Sequence, residues 1–309
     1  MKCGYVALIG RPNVGKSTLL NNLLGRKVSI ISDKPQTTRI NILGIKTTPR
    51  GQIIFVDTPG IHRPLHKLNK RMMDFVEYTL ETAELICLLI DATQSFGHGD
   101  AFVIDLLKKI STPKFLLINK IDLIKKESLL PLIDRYRELL EFKEIIPISA
   151  LRGTNLPLLE EKIYEYLPES EKLYDDDSIS VQSQKFLIAE IIREKILHHV
   201  RDELPYVTAV YVEHIDQESQ ASTLKTGELP QSSSPEKKIT HIRATIFVEK
   251  ENHRKIIIGR RGQMIKTIGM QARQELEFIL GTKIFLELRV KVKEKWRDSP
   301  NLLDLIEQQ

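Results

Sequence analysis

Cysteine is almost absent from this chain. Only Cys3 and Cys87 occur in 309 residues, the second inside the apolar run Leu85-Ile86-Cys87-Leu88-Leu89-Ile90. Neither a disulfide framework nor a cysteine metal quartet can form, so no disulfide or structural metal partner is expected, and a reducing cytoplasm is the expected setting. Long hydrophobic runs are missing as well: nothing approaches the roughly 20 apolar residues that a membrane-crossing helix needs. The first apolar segment, 5–9, passes straight into a glycine-bearing loop with no small-residue cleavage site, which makes it a strand and not a signal segment. No lipidation motif and no strongly amphipathic basic anchor is visible either.

What is present suits packed cores. Hydrophobic residues make up 41% of a chain long enough for two domains. The net charge of +5 matters less than its placement. Residues 173–249 carry 8 Lys/Arg against 13 Asp/Glu, whereas 250–297 carry 13 against 5. A basic block of that density suggests a polyanionic partner, although a charge run alone is commonly just a solvated face.

The strongest signal is Gly10-Arg11-Pro12-Asn13-Val14-Gly15-Lys16-Ser17, a G-x-x-x-x-G-K-S loop between an apolar strand and a helix starting near Thr18. Such a loop aims backbone N–H groups at phosphate oxygens: Gly10 and Gly15 admit close approach, Lys16 neutralises terminal phosphates and Ser17 offers a hydroxyl to Mg²⁺. The polar stretch 33–39 has the position of a first switch loop, in which Thr38, chosen over Thr37, would reach Mg²⁺ and the γ-phosphate. Two strands, 40–47 and 52–56, lead to Asp57-Thr58-Pro59-Gly60. An acid at the end of a buried strand can hold Mg²⁺ through water, and Gly60 can present its N–H to the γ-phosphate. The metal candidates are therefore Ser17, Thr38 and Asp57, and the catalytic candidates are Lys16, Thr38, Asp57 and Gly60. Asn119-Lys120-Ile121-Asp122 selects the base. The Asp122 carboxylate can accept from the guanine ring N–H and amine, Asn119 faces the N7/O6 edge, and adenine leaves those groups unpaired. Ser149-Ala150-Leu151 places backbone N–H groups near the guanine oxygen.

Five motifs in this order resemble the Ras-like GTPase superfamily over residues 1–170. That resemblance implies an α/β P-loop GTPase domain with a mixed, mostly parallel sheet and helices on both faces. It implies GTP and GDP as ligands, Mg²⁺ as cofactor, and hydrolysis of GTP to GDP and phosphate. Val14, Thr18, Thr58 and Pro59 join the nucleotide contacts. One departure stands out: Ile61 follows D-x-x-G where Ras-type proteins carry the glutamine that positions the attacking water, so slow intrinsic turnover is expected. The form G-x-P-N-x-G-K-S is similar to that of bacterial GTPases that use K⁺ in place of an arginine finger, with Asn13 as the ion's ligand. A turn residue tolerant of unusual φ is the competing reading of Asn13.

An acidic stretch, 171–183, with Asp175-Asp176-Asp177 and no hydrophobic period, reads as the linker. Beyond it a helix at 184–204 is expected to stop at Pro205, and strands at 207–215 and 241–248 flank a Ser, Thr, Gln and Pro-rich stretch, 216–238, expected to be a flexible insert. Ile256-Ile257-Ile258-Gly259-Arg260-Arg261-Gly262-Gln263 then falls between a short and a long helix. With the final strand at 283–292, the order helix, strand, strand, helix, helix, strand resembles a type II KH domain, an α+β fold, here 184–309. In such domains the G-x-x-G turn lets a single-stranded backbone approach closely. Ile258, Gly259, Arg260, Arg261, Gly262 and Lys266 are the RNA-binding candidates. Trp296 is expected to pack the C-terminal tail rather than stack on a base.

The two resemblances together match the Era family of bacterial GTPases across the chain, with 216–238 as the main departure. That family implies binding of small-subunit ribosomal RNA near its 3′ end, a role in assembling the small ribosomal subunit, and peripheral contact with the inner membrane from the cytoplasmic side. Two competitors stand beside it. A P-loop kinase or ATPase is opposed by Asn119 and Asp122; a GTPase whose C-terminal module binds protein or membrane in place of RNA stays open.

Overall fold

Strands that are apolar between their ends must be covered on both faces, and the first half of the chain holds two of them, at 85–91 and 114–119. The computed structural model describes residues 1–61, 66–218 and 239–309. They fall into two units, Met1–Gln182 and Ser183–Gln309. In chain order the first holds β1 (Lys2–Ile9), α1 (Lys16–Leu24), β2 (Ile42–Thr48), β3 (Gly51–Asp57), α2 (Lys67–Thr82), β4 (Leu85–Asp91), α3 (His98–Leu107), β5 (Lys114–Asn119), α4 (Leu129–Leu139), β6 (Glu144–Pro147) and α5 (Leu156–Tyr166). The sheet order is β2-β3-β1-β4-β5-β6, with β2 antiparallel to β3 and the other pairs parallel.

Every residue of β3, β4 and β5 is buried. Ile9, Ile86, Leu88 and Ile118 meet Val76, Leu80, Val103, Leu107 and Tyr136 on one face, each fully buried side chain contributing about 1.5–3 kcal/mol. Because β1 lies between β3 and β4, the chain leaves it in opposite directions, and a crevice opens beyond the carboxyl ends of the strands. The register sets Leu8 opposite Asp57 and Asp91 opposite Asn119, so both acids end their strands at that crevice.

The stretch expected as a linker is bonded to this unit. The amide of buried Gln52 accepts at Oε1 from the N–H groups of Leu173 and Tyr174, both at 3.0 Å, and donates to the Tyr174 carbonyl at 2.8 Å. Farther on, Ile45 N–H donates to the Ile179 carbonyl at 2.8 Å, Ser180 Oγ to the Leu43 carbonyl at 2.9 Å, and Gln182 Nε2 to the Asn41 carbonyl at 3.2 Å. β2 is an edge strand whose outer backbone groups need partners, and this segment supplies them. The binding runs through backbone and one buried amide, so it leaves no hydrophobic period to read.

The second unit contains α6 (Gln184–His199), α7 (Leu204–Val207), β7 (Ala209–Glu218), β8 (Ile239–Val248), α8 (Glu251–Ile258), α9 (Gln263–Leu280), β9 (Lys283–Val292) and α10 (Pro300–Glu307). β7 is antiparallel to β8, and β8 is parallel to β9. Ile188, Ile192, Ile196, Val212, Ile246, Ile257, Ile268 and Leu276 form its core. Two expectations change. The helix expected to 204 stops at His199, where Val200 turns extended, and Pro205 opens the next short helix, a position that tolerates its missing N–H. Residues 216–218 continue β7, with Glu218 opposite Ile239, so the expected loop loses its first three residues to the strand, and β8 starts at Ile239, two residues before the strand expected at 241. Residues 219–238, with their expected flexibility, lie outside the described residues. Trp296 is 1% exposed, its indole N–H donating to the Val207 carbonyl at 2.8 Å. No described helix is long and apolar enough to cross a membrane.

Candidate functional site

Between β1 and α1 the chain turns through Gly10 to Gly15 and sets Lys16 on the first helical residue. Gly15 adopts φ 102, and a Cβ there would come within 2.3 Å of Asn119 Nδ2, so only glycine fits. The Lys16 ammonium is 6% exposed and donates to the carbonyls of Gly10 at 3.1 Å and Arg11 at 3.0 Å. Burial pulls it down to about 8, against the opposing charge of Asp57. A cavity of about 350 Å³ opens here, lined among others by Asn13, Gly15, Lys16, Ser17, Thr18, Thr38, Gly60 and Lys120. Asn13 takes the left-handed conformation, φ 64, and donates from Nδ2 to the Asp33 carbonyl at 2.6 Å. Its turn geometry is thus present, and it also ties the phosphate loop to the switch stretch.

Three hydroxyls converge on one carboxylate oxygen. Asp57 Oδ2 accepts from Ser17 Oγ at 2.6 Å, Ser29 Oγ at 2.9 Å and Thr38 Oγ1 at 3.4 Å, and Ser17 Oγ lies 3.0 Å from Thr38 Oγ1. Thr38 is buried at this cluster, whereas Thr37 turns to the Lys34 carbonyl at 2.5 Å. Burial pushes the Asp57 carboxyl up, while Lys16 and the hydroxyls hold it down. Its Oδ1 is buried with no hydrogen-bond partner among the described residues. Hard oxygen donors around a carboxylate with a spare buried oxygen fit a hard divalent cation such as Mg²⁺. The Thr58 hydroxyl donates to the Leu8 carbonyl at 2.8 Å and the residue is fully buried, so its backbone is the part that can meet a ligand. Pro59 is buried beside it. Gly60 passes so close to Pro12 that a Cβ would sit 2.8 Å from its backbone. Ile61 is 2% exposed in the core, its N–H donating to the Gly10 carbonyl at 3.2 Å.

The base-selecting loops are joined to the phosphate loop. Asn119 is buried, donates from Nδ2 to the Val14 carbonyl at 2.7 Å and accepts at Oδ1 from the Ala150 N–H at 2.8 Å. It therefore also works as a strut between three loops, a duty the motif alone did not reveal. Ser149 bonds Asp122 and holds its carboxyl below the usual range, with the exposed Arg152 guanidinium 3.5 Å away adding to this. Leu151 is 75% exposed at the loop tip. Lys120 takes φ 65, and its ammonium pairs with Asp91 Oδ2 at 2.6 Å. Asp91 was not expected. Burial would raise its carboxyl, but Lys120 and Thr93 hold it low. Its signal was available, since it ends an apolar strand as Asp57 does. Ser29, in Val28-Ser29-Ile30, had no signal at all.

In the second unit α8 ends at Gly259, φ 74, where a Cβ would strike Met264 Cβ at 2.6 Å. Arg260, Arg261 and Gly262 make one tight turn, Arg261 at φ 52 and Gly262 at φ 76, before α9 begins. Ile258 is half-buried, while Arg260, Arg261 and Lys266 are exposed. The surrounding basic block is less free than its count suggests. Arg254, Lys283, Arg289, Lys291 and Arg297 pair with Glu251, Glu277, Glu287, Glu213 and Glu249. Among the described residues Arg260, Arg261 and Lys266 have no such partner, and neither have Lys250, Lys255, Lys293 and Lys295, so the G-R-R-G end carries three of the unpaired charges of the block.

Residues 5–120 match the family described as 50S ribosome-binding GTPase, and residues 228–297 match the KH domain. Among solved structures, Era in complex with MgGDPNP and nucleotides 1506–1542 of 16S ribosomal RNA is 44% identical, with TM-score 0.89, over 99% of this chain and 98% of that one. This chain belongs to the Era family. An Aquifex aeolicus Era variant bound to GDP·AlF4⁻ is likewise 44% identical, with TM-score 0.89, over 99% of both chains. The Era likeness thus spans both units, with the phosphate cradle and the G-R-R-G turn in one chain. That makes the chain a P-loop GTPase joined to a KH domain.

Proposed function

We infer that the protein is a GTP-hydrolysing switch that binds small-subunit ribosomal RNA through its KH unit and assists assembly of the small ribosomal subunit. One observation carries this: across nearly its whole length the chain matches an Era solved with both a guanine nucleotide analogue and a 16S RNA fragment. The GTPase-family description names the 50S particle, but it covers only residues 5–120, so the full-length likeness decides for the small subunit.

Within this reading the residues have distinct tasks. Lys16 and the backbone of 10–18 hold the phosphates, while Asp122, Asn119 and the 149–151 backbone hold guanine. Ser17, Thr38 and Asp57 would hold Mg²⁺, which when bound would supply positive charge against the charge that develops on the phosphates. Gly60 offers its N–H to the γ-phosphate. With Ile61 buried, no side chain at that position orients the attacking water, so turnover is slow. K⁺ beside Asn13 would supply the missing positive charge, and equal hydrolysis rates in K⁺ and Na⁺ would remove that part.

Nucleotide state and RNA affinity are linked through the switch loop. Thr38 stands just before Asn41, whose amide donates to Thr79 of α2 at 2.7 Å and whose carbonyl receives Gln182. Gln182 precedes Ser183, the N-cap of α6. Ordering of the Thr38 loop can therefore act on the segment that enters the KH unit. The family's peripheral contact with the inner membrane is carried over as part of the proposal, and co-sedimentation with anionic vesicles tests it. The central test is binding of a 3′-terminal 16S oligonucleotide with GDPNP or GDP. Tighter binding with GDPNP, lost when Arg260 and Arg261 are both changed to Asp while GTP affinity persists, is expected. Unchanged RNA affinity in that variant would favour a protein or membrane partner.

A further inference from the structure

Asp57 has three hydroxyl donors on the same oxygen, but they are not equivalent. Ser17 and Thr38 are themselves metal-ligand candidates, and Thr38 lies on the loop that responds to nucleotide. Ser29 is neither. It is 1% exposed, and its backbone is clamped to α1 at both polar groups: Asn21 Oδ1 accepts from Ser29 N–H at 3.0 Å, and Asn21 Nδ2 donates to the Ser29 carbonyl at 2.7 Å. The same Oδ1 accepts from Val28 N–H at 2.9 Å. A carboxylate held only by partners that change with the nucleotide would have no fixed plane.

We propose that Ser29 is the positioning residue that fixes the Asp57 carboxylate for Mg²⁺, with Asn21 anchoring Ser29 to the helix that begins at Lys16. The inference rests on the nucleotide-switch reading above and deepens it. The chain Asn21–Ser29–Asp57 contains no group expected to touch nucleotide or metal other than its last member. It therefore keeps one carboxylate oxygen bonded in every nucleotide state, so that Mg²⁺ meets a preset acid. Loss of such a partner behind a metal ligand weakens metal affinity by about 10–100-fold.

The test uses the full chain with GDPNP and follows thermal stabilisation as Mg²⁺ is titrated. Ser29→Ala should raise the Mg²⁺ midpoint by about 10–100-fold, while GDPNP affinity in EDTA stays within about twofold of native. Ser29→Cys, nearly isosteric but a weak donor, carries the same expectation and serves if the alanine variant does not fold. A midpoint within about twofold of native in the variant that folds overturns the proposal, as does an equal loss of GDPNP affinity in EDTA, which a merely structural role would give. If the native protein gains no stability from Mg²⁺ with GDPNP, the switch reading itself fails, and the two failures are told apart.

Discussion

In the proposed function the nucleotide pocket and the G-R-R-G turn both take phosphate-bearing ligands, yet they are built in opposite ways. In the pocket, Lys16, Asp57 and Asn119 are buried and already bonded to backbone or hydroxyl groups. At the turn, Arg260 and Arg261 stand in solvent on a backbone bent through positive φ at Gly259, Arg261 and Gly262. Buried, desolvated bonds discriminate sharply and fail abruptly when one partner is lost. Exposed charges act through a screened field, so their contribution is graded and falls with salt.

The largest effect should come from the pocket. Asp122→Ala would remove the acceptor of the two proposed hydrogen bonds from the guanine ring N–H and amine, each worth about 1.5–3 kcal/mol, and should weaken GTP binding about 10²–10⁴-fold. Competition with a fluescent guanine nucleotide measures it. ATP affinity should not change, and a parallel loss for ATP would mean that the acid holds the loop rather than the base.

Next comes a pH effect that the turn cannot show. Burial lowers the Lys16 ammonium from 10.5 to about 8, with Asp57 opposing. A triphosphate restores the charged form, so binding takes up a proton above that value. Affinity should therefore fall by up to about tenfold per pH unit as pH rises above 8, with no contribution from Lys16 below it. The nucleotide-free fold should move the other way. Because the folded value lies below the unfolded one, Lys16 costs stability at neutral pH, and that cost disappears as pH rises from about 8 toward 10.5. Titrations of native protein and Lys16→Met separate this residue from the other lysines.

The same contrast explains what the sequence made legible. The pocket's glycines, Lys16, Asp57 and the N-K-x-D residues occupy fixed places at strand ends, and the sheet register brings Asp57 and Asp91 to one crevice. Spacing therefore carried most of the site. Ser29 and Asn21 escaped because a bond across the fold depends on distance, not on pattern. Residues 171–182 escaped because they attach through backbone and Gln52, which leaves an acidic, aperiodic stretch looking like a tether. In the second unit the element order was visible, but not which cations are spent on glutamates. Glu213 and Glu249, which hold Lys291 and Arg297, lie outside the basic block in sequence.

That pairing sharpens the expectation for RNA. If Arg260 and Arg261 each meet one phosphate of a single strand, as proposed, changing both to Ala should reduce the slope of log affinity against log salt by about 1.4. Lys291→Ala, whose ammonium already faces Glu213 at 3.4 Å, should change the slope much less. Anisotropy of a labelled oligonucleotide across a KCl series reads both. A loss in the arginine variant that persists undiminished at high salt would show that the turn works like the pocket and break the comparison.

The smallest effect concerns strain. Arg261 holds φ 52, a left-handed conformation that costs a non-glycine residue roughly 1 kcal/mol or more. Glycine removes that cost but gains freedom in the unfolded chain worth about 0.5–1 kcal/mol. Arg261→Gly should therefore match or slightly exceed native stability, whereas Arg261→Ala keeps the strain and loses the side chain. Both remove the same charge and should weaken RNA binding alike. If thermal melts place the glycine variant above the alanine variant while their RNA affinities coincide, the turn's geometry is held at a cost in stability for the sake of where it presents a cation. If the glycine variant binds RNA markedly worse than the alanine variant, rigidity of the turn contributes to binding as well, and the exposed site shares more with the buried one than its charges suggest.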